Sequence, residues 1–104
     1  MNLNIKATNT TLTPAIKQFI EEKIQSLNKF LKPEHKVRVE LAVEKKHKTG
    51  LVSRAEIDIQ PNGYYAESQG VDFYAALDLV LPKIKEQMAK AKDKKISLRR
   101  RIKR

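Results

Sequence analysis

Apolar residues along this chain alternate between two periods, and each change of period marks a new element. Leu3, Ile5 and Ala7 stand at every second position, which predicts a short strand with one buried face. Thr13-Pro14 then offers an N-cap with proline at the first helical position. Ile16, Ile20, Ile24, Leu27 and Leu31 follow at steps of four, four, three and four, with Phe19 and Phe30 alongside. This predicts an amphipathic helix of about four to five turns, ended by Pro33. Val37, Val39, Leu41 and Val43 alternate with Arg38, Glu40, Ala42 and Glu44 as a second strand, which a basic loop from Lys45 to Gly50 follows. Leu51, Ser53, Ala55, Ile57 and Ile59 predict a third strand. Pro61-Asn62-Gly63 is a tight-turn signal, so Tyr64 to Ser68 should return as a hairpin partner, broken off at Gly70.

Asp72 can cap a second helix, in which Phe73, Leu77, Leu81, Ile84, Met88 and Ala91 keep the helical period. Pro82 lies inside this stripe. It removes one backbone donor and crowds the carbonyl of Asp78, an effect of ~3 kcal/mol in an ordinary helix interior. The stripe continues in register on both sides, so a kink is expected there and not a break. The order is β-α-β-β-β-α, an α+β fold. A right-handed crossover would set the first strand parallel to a neighbour in a four-stranded sheet, with both helices on one face. One domain covers residues 1–94. In the basic tail, 95–104, Ile96 and Leu98 are isolated among charges, which predicts irregular structure.

A chain of 104 residues with 40% hydrophobic residues and no tryptophan supports one modest core. It has no cysteine, so neither a disulfide nor a thiolate metal site can staple it. No stretch approaches the ~20 apolar residues of a membrane span, and the N-terminus lacks the apolar segment of a signal peptide. A cytoplasmic protein with no membrane partner is expected.

Charge changes the picture most. From Met1 to Pro82 there are 11 basic and 10 acidic residues; from Lys83 to Arg104 there are 11 basic residues against Glu86 and Asp93. Nearly the whole net charge of +10 therefore sits in the last 22 residues. Lys83, Lys90 and Lys94 fall close to one line of the second helix, and Lys85 and Lys92 share another side. Lys95, Arg99, Arg100 and Arg101 extend the field. Isolated lysines read best as a solvated helix face. A concentration of this size suits a polyanion, because each Lys or Arg that displaces a condensed counterion adds affinity.

Tyr64, Tyr65 and Tyr74 could stack on bases, but strand and helix period explain at least one of the adjacent pair as core. The aromatic motif of an RRM, the GXXG loop of a KH domain and zinc-finger spacing are all missing. His35 and His47 lie in basic, loop-like surroundings and read as surface residues. Glu21, Glu22, Glu40, Glu44, Glu56 and Asp58 read as solvent-face positions. Nothing points to a catalytic pair, a metal, a cofactor or a small-molecule substrate, so a binding protein is expected and not an enzyme.

Asp72-Phe73-Tyr74-Ala75-Ala76-Leu77-Asp78 resembles the second-helix opening, D-M-Y-A-A-I-D, of the ribosome hibernation promoting factors, also called ribosome-associated inhibitors or sigma-modulation-type proteins. Thr13-Pro14-Ala15-Ile16, Val43-Glu44-Lys45 and Pro61-Asn62-Gly63 match in the same order. The likeness runs from the first strand to about Lys94. It implies a fold similar to a double-stranded-RNA-binding domain. It also implies binding to small-subunit rRNA, in the channel where mRNA and tRNA sit, silencing ribosomes in starvation or stationary phase.

The family's RNA-facing basic positions fall here on Lys83, Lys90 and Lys94 of the second helix and on Lys23 and Lys29 of the first. Ser26 and Glu86 stand where relatives often carry a basic residue, with Lys85 as a substitute for the second. Pro82 is unusual in this helix and could re-aim Lys83. The short basic tail is neither the acidic tail of some inhibitors nor the dimerisation domain of the long forms. Such a chain would be a monomer off the ribosome, and pairing ribosomes would need a partner such as a ribosome modulation factor. Two alternatives remain: a general double-stranded-RNA binder, and a basic module that docks an acidic protein.

Overall fold

The structure, a computed structural model, describes residues 2–46 and 50–102, with side chains up to residue 91. The elements are β1 (Asn2–Thr8), α1 (Pro14–Gln25), β2 (Lys36–Lys46), β3 (Gly50–Gln60), β4 (Tyr64–Gly70) and α2 (Phe73–Ile102). The strands lie in the order β1-β2-β3-β4. β1 runs parallel to β2, with Leu3 opposite Val37 and Ile5 opposite Val39. The other pairs are antiparallel.

Period-two alternation assigns each strand one apolar face. Val37, Val39, Leu41, Ala55, Ile57, Ile59 and Ala66 are buried with Ile16, Ile20 and Ile24 of α1 and with Phe73, Leu77, Val80, Ile84 and Met88 of α2. Both helices thus cover the same face, and the opposite, outer face of the sheet is left without a helix. Gly70 fixes how closely α2 enters. A Cβ there would lie 2.8 Å from the backbone nitrogen of Ala76 and 2.9 Å from the Ala75 Cβ, so any side chain would push the first turn of α2 away from β4.

Thr13 caps α1 by accepting from the Ile16 N–H at 3.2 Å, with Pro14 following. The helix is shorter than its apolar stripe. It ends at Gln25, and the chain tightens into three-residue turns, with Ser26, Leu27 and Asn28 donating to Lys23, Ile24 and Gln25. Leu27 stays buried through this change because a three-residue step keeps it on the same side.

α2 runs through Pro82 without a break. Pro82 and Asp78 are exposed, so the donor is lost on the wet side of the helix, where water can replace it. The α2 backbone is helical as far as Ile102, past the start of the expected irregular tail. The expected loop from Lys45 is also shorter than its composition suggests, since Lys45 and Lys46 complete β2 and Gly50 opens β3.

His35 is a correction. It is buried, not a surface residue. Its Nδ1 accepts from the Lys32 N–H at 2.8 Å, which puts the ring proton on Nε2, 2.9 Å from Asn62 Oδ1. Its carbonyl accepts from the Asn2 N–H. One residue therefore ties together the start of β1, the turn before β2 and the β3–β4 turn. His47 lies outside the described residues.

Candidate nucleic-acid interface

The helical period places Lys83 and Lys90 two turns apart on the β4 side of α2. They line a shallow crevice with Tyr65, Glu67, Glu86 and Gln87. Both are exposed, and both already have partners. The Lys83 ammonium donates to the backbone carbonyl of Glu67 at 3.1 Å, and Lys90 pairs with Glu86, one turn before it, at 3.0 Å. Between them Gln87 accepts from the Tyr65 N–H at 3.1 Å and donates to the Tyr65 carbonyl at 2.6 Å. That amide pairs with the free edge of β4 as a neighbouring strand would. It was invisible in the apolar pattern, and only its place between two lysines on one helix line hinted at a role.

Lys85 is exposed two turns after Asp78, on the flank of α2 that faces α1. Lys23 of α1 reaches this flank, 3.6 Å from Asp78 and 5.3 Å from the centre of the Phe19 ring. Lys29, in the turns beyond α1, is exposed, with its ammonium 5.1 Å from the centre of the Phe30 ring. The described lysines of α2 therefore fall on its two flanks, Lys83 and Lys90 on one and Lys85 on the other, as the helical period places them. The side chains of Lys92, Lys94, Lys95, Arg99, Arg100 and Arg101 lie outside the described residues. Exposed Leu79 and Pro82 stand between the two flanks.

The outer sheet face has a different electrostatic character. Arg54 donates to Glu56 at 2.5 Å and to Glu67 more closely still, and lies 3.6 Å from Glu44. The single proton of the Tyr65 hydroxyl is shared between Glu56 at 2.5 Å and Glu67 at 3.0 Å. The hydrogen bond to Glu67, with the neighbouring carboxylates, holds the Arg54 guanidinium even more firmly protonated than usual. Its bond to Glu56 and partial burial push the Tyr65 phenol up, while the Arg54 and Tyr65 donors hold the Glu67 carboxyl below its ordinary range. Tyr65 is thus engaged with acids on the face away from the helices, Tyr64 packs against the core, and Tyr74 meets Phe19 edge to face at 4.9 Å. Each tyrosine is accounted for by packing or hydrogen bonding. The strand acids do stand on the solvent face, half-buried, with Glu44, Glu56 and Asp58 in ion pairs and Glu40 accepting from the Thr8 hydroxyl.

Among the described residues there is no group of three or more His, Cys, Asp or Glu side chains that could hold a metal, and no helix is long and apolar enough to cross a membrane. What the arrangement offers is a helix layer with cations on its flanks. The sequence profile of the family described as "Sigma 54 modulation protein / S30EA ribosomal protein" matches residues 3–96. The chain belongs to this family.

Its similarity to curated members spans most of its length. It is 33% identical over 94 residues to a ribosome hibernation promoting factor of Klebsiella oxytoca, covering 90% of this chain and 96% of that protein. The corresponding factor of Escherichia coli K12 is 34% identical with the same coverage. A ribosome hibernation promotion factor of Bacillus subtilis is 32% identical, but the match spans only 50% of that protein. Among solved structures, the N-terminal domain of Thermus thermophilus Protein Y superposes with a TM-score of 0.72 at 28% identity, covering 86% of this chain and 98% of that one. A ribosomal subunit interface protein from Coxiella burnetii gives the same TM-score at 19% identity, over 89% and 99%, and supports the fold alone.

Proposed function

We propose that this chain is a ribosome hibernation factor that occupies the mRNA and tRNA channel of the small subunit and represses translation under stress or in stationary phase. The observation that carries this is the concentration of positive charge in the second helix and its extension, within a family whose curated members here are hibernation factors. The mechanism is occlusion. No bond is made or broken, and no cofactor takes part. Lysines on the flanks of α2, with Lys23 and Lys29, meet phosphates, while the helix layer supplies a shape that fits an RNA surface. The protein works in the cytoplasm as a monomer off the ribosome, and a separate modulation factor would be its partner if ribosomes pair.

The test is sedimentation of the purified protein with purified ribosomal subunits at two salt concentrations. Co-migration with the small subunit, prevented by prior loading of mRNA and initiator tRNA, is the expected result. Neutralising roughly six phosphates makes affinity fall by about three decades between 50 and 200 mM salt. Equal affinity for an unrelated RNA duplex would instead make the chain a general double-stranded-RNA binder. A co-purifying acidic protein that survives ribonuclease would make it a protein-docking module.

A further inference from the structure

β2 and β3 outrun their neighbours. β1 pairs with β2 only as far as Ala42, and β4 pairs with β3 only from Ser53 onward. Residues 43–46 and 50–52 therefore pair only with each other, as a two-stranded arm that projects about 13 Å beyond the sheet. An isolated ribbon of this kind is marginal. Its base is held by Val43, which packs against the core, and by Arg54, which reaches Glu44.

The arm presents an unusual combination of groups. Glu44 is its one acidic residue among those described, and both its oxygens are engaged, by Arg54 and by Lys46, each at 3.6 Å. Lys45 is exposed and has no ion-pair partner among the described residues. Directly across the ladder from Lys45 stands Leu51, 71% exposed. Lys45 and Leu51 share the parity of Val43 and Ser53, so they face the helix side of the sheet. Val71, 90% exposed, follows the end of β4 at the base of the arm. The nearby acid Asp72 is committed to capping α2 through the Ala75 N–H at 2.8 Å.

We propose that this arm is a second RNA-binding site, distinct from α2, which enters the shallow minor groove of an RNA helix. Lys45 and Lys46 meet phosphates there and Leu51 packs on ribose. Charge favours RNA: the arm is basic and its acid is already neutralised. An A-form helix offers a wide minor groove lined by sugar, which a narrow ribbon with one exposed large apolar side chain fits. The register separates this site from the crevice of α2. Gln87 lies beside Tyr65, which pairs with Asp58, and Leu51 lies seven residues before Asp58, about 23 Å along β3. At that distance the two sites contribute independently.

The experiment measures binding of the whole chain to purified bacterial small subunits across 50 to 200 mM salt. Four proteins are compared: wild type, K45A/K46A, L51A, and K6A/K36A, whose lysines sit on the outer sheet face. The lysine pair on the arm should weaken binding about tenfold and lower the salt slope by about one to two. L51A should weaken it by a few fold with the slope unchanged, and K6A/K36A should match wild type. Circular dichroism checks each fold, with K45Q/K46Q replacing the alanine pair if it unfolds. Wild-type affinity and slope in the arm lysine variant would overturn the proposal. So would a loss with L51A alone, which would make the arm a protein contact. If the wild type does not bind subunits at all, the ribosomal assignment fails separately. The same variants on a short RNA helix then decide the arm: arm-dependent binding upholds it, and no binding overturns it.

Discussion

The two faces of this molecule use charge in opposite ways. On the outer face of the sheet, Lys6, Lys36, Arg38, Lys46 and Arg54 stand among Glu40, Glu44, Glu56, Asp58 and Glu67, five of each sign. Register sets them against one another. Arg38 meets Asp58 at 3.4 Å, and Arg54 gathers the carboxylates of three strand positions. From Lys83 to Arg104, by contrast, eleven basic residues have only Glu86 and Asp93 between them. Apart from Lys46, at the margin where the arm leaves the sheet, the first arrangement satisfies its charges internally and has little left for a ligand. The second has nine more basic than acidic residues in its own sequence, an excess that the proposed phosphate contacts would use. A count of lysines and arginines misses this difference, which depends on where the acids fall.

Charge reversal on the unmatched side should have the largest effect. K83E/K90E/K94E should reduce affinity for the small subunit by about three decades at low salt, with an unchanged circular dichroism spectrum. Affinity within threefold of wild type would refute the site. Arg54→Ala should do the reverse. It leaves Glu44, Glu56 and Glu67 facing one another and removes charge-assisted hydrogen bonds. Thermal unfolding should show a loss of about 1 to 2 kcal/mol, while subunit affinity falls by no more than in K45A/K46A, because Arg54 also holds the base of the arm. A larger loss would mean that the outer face away from the arm also touches RNA.

Glu86→Lys removes the acid beside Lys90 and makes the unmatched side more so. Affinity should rise about threefold to tenfold, with a salt slope steeper by about one. The smallest effect concerns acid. The Glu67 carboxyl is held below its ordinary range by Arg54 and Tyr65. Its contribution to stability is therefore present above the ordinary carboxylate range and is lost as pH falls through the lowered value. An NMR titration of Glu67 should show its midpoint displaced to lower pH, and Arg54→Ala should return it towards the ordinary value.

Much of the fold was legible because period and burial coincide. Val37, Val39 and Leu41 alternate and are buried; Ile16, Ile20 and Ile24 step by four and are buried. The end of α1 was not, because Leu27 continues the apolar step whether the backbone is α-helical or folded into tighter turns. His35 was not either. Its burial depends on Lys32 and Asn62 arriving from two different turns, which no local pattern encodes. At the candidate site the sequence carried the lysines and their line along the helix. It did not carry the capture of Lys83 by the Glu67 carbonyl or the pairing of Lys23 with Asp78, which arise only when α2 is laid against β4 and α1. The arm was hidden for a related reason: Lys45 and Lys46 look like loop residues until the pairing shows that their strands outlast their neighbours.

The clasp that Gln87 makes on β4 also bears on how this sheet can grow. A strand at the rim of a sheet is a template for any extended segment, and proteins protect such rims in order to stay soluble. Here the N–H and carbonyl of Tyr65 are occupied by one side-chain amide, and the Glu67 carbonyl by one ammonium. The sheet is consequently lopsided as a template, guarded by its own helix along β4, with β1 as the other rim. Lys83 holds both posts at once. A phosphate that drew its ammonium away would uncover a carbonyl of the rim, so guarding the rim and meeting a phosphate make opposite demands on the same side chain.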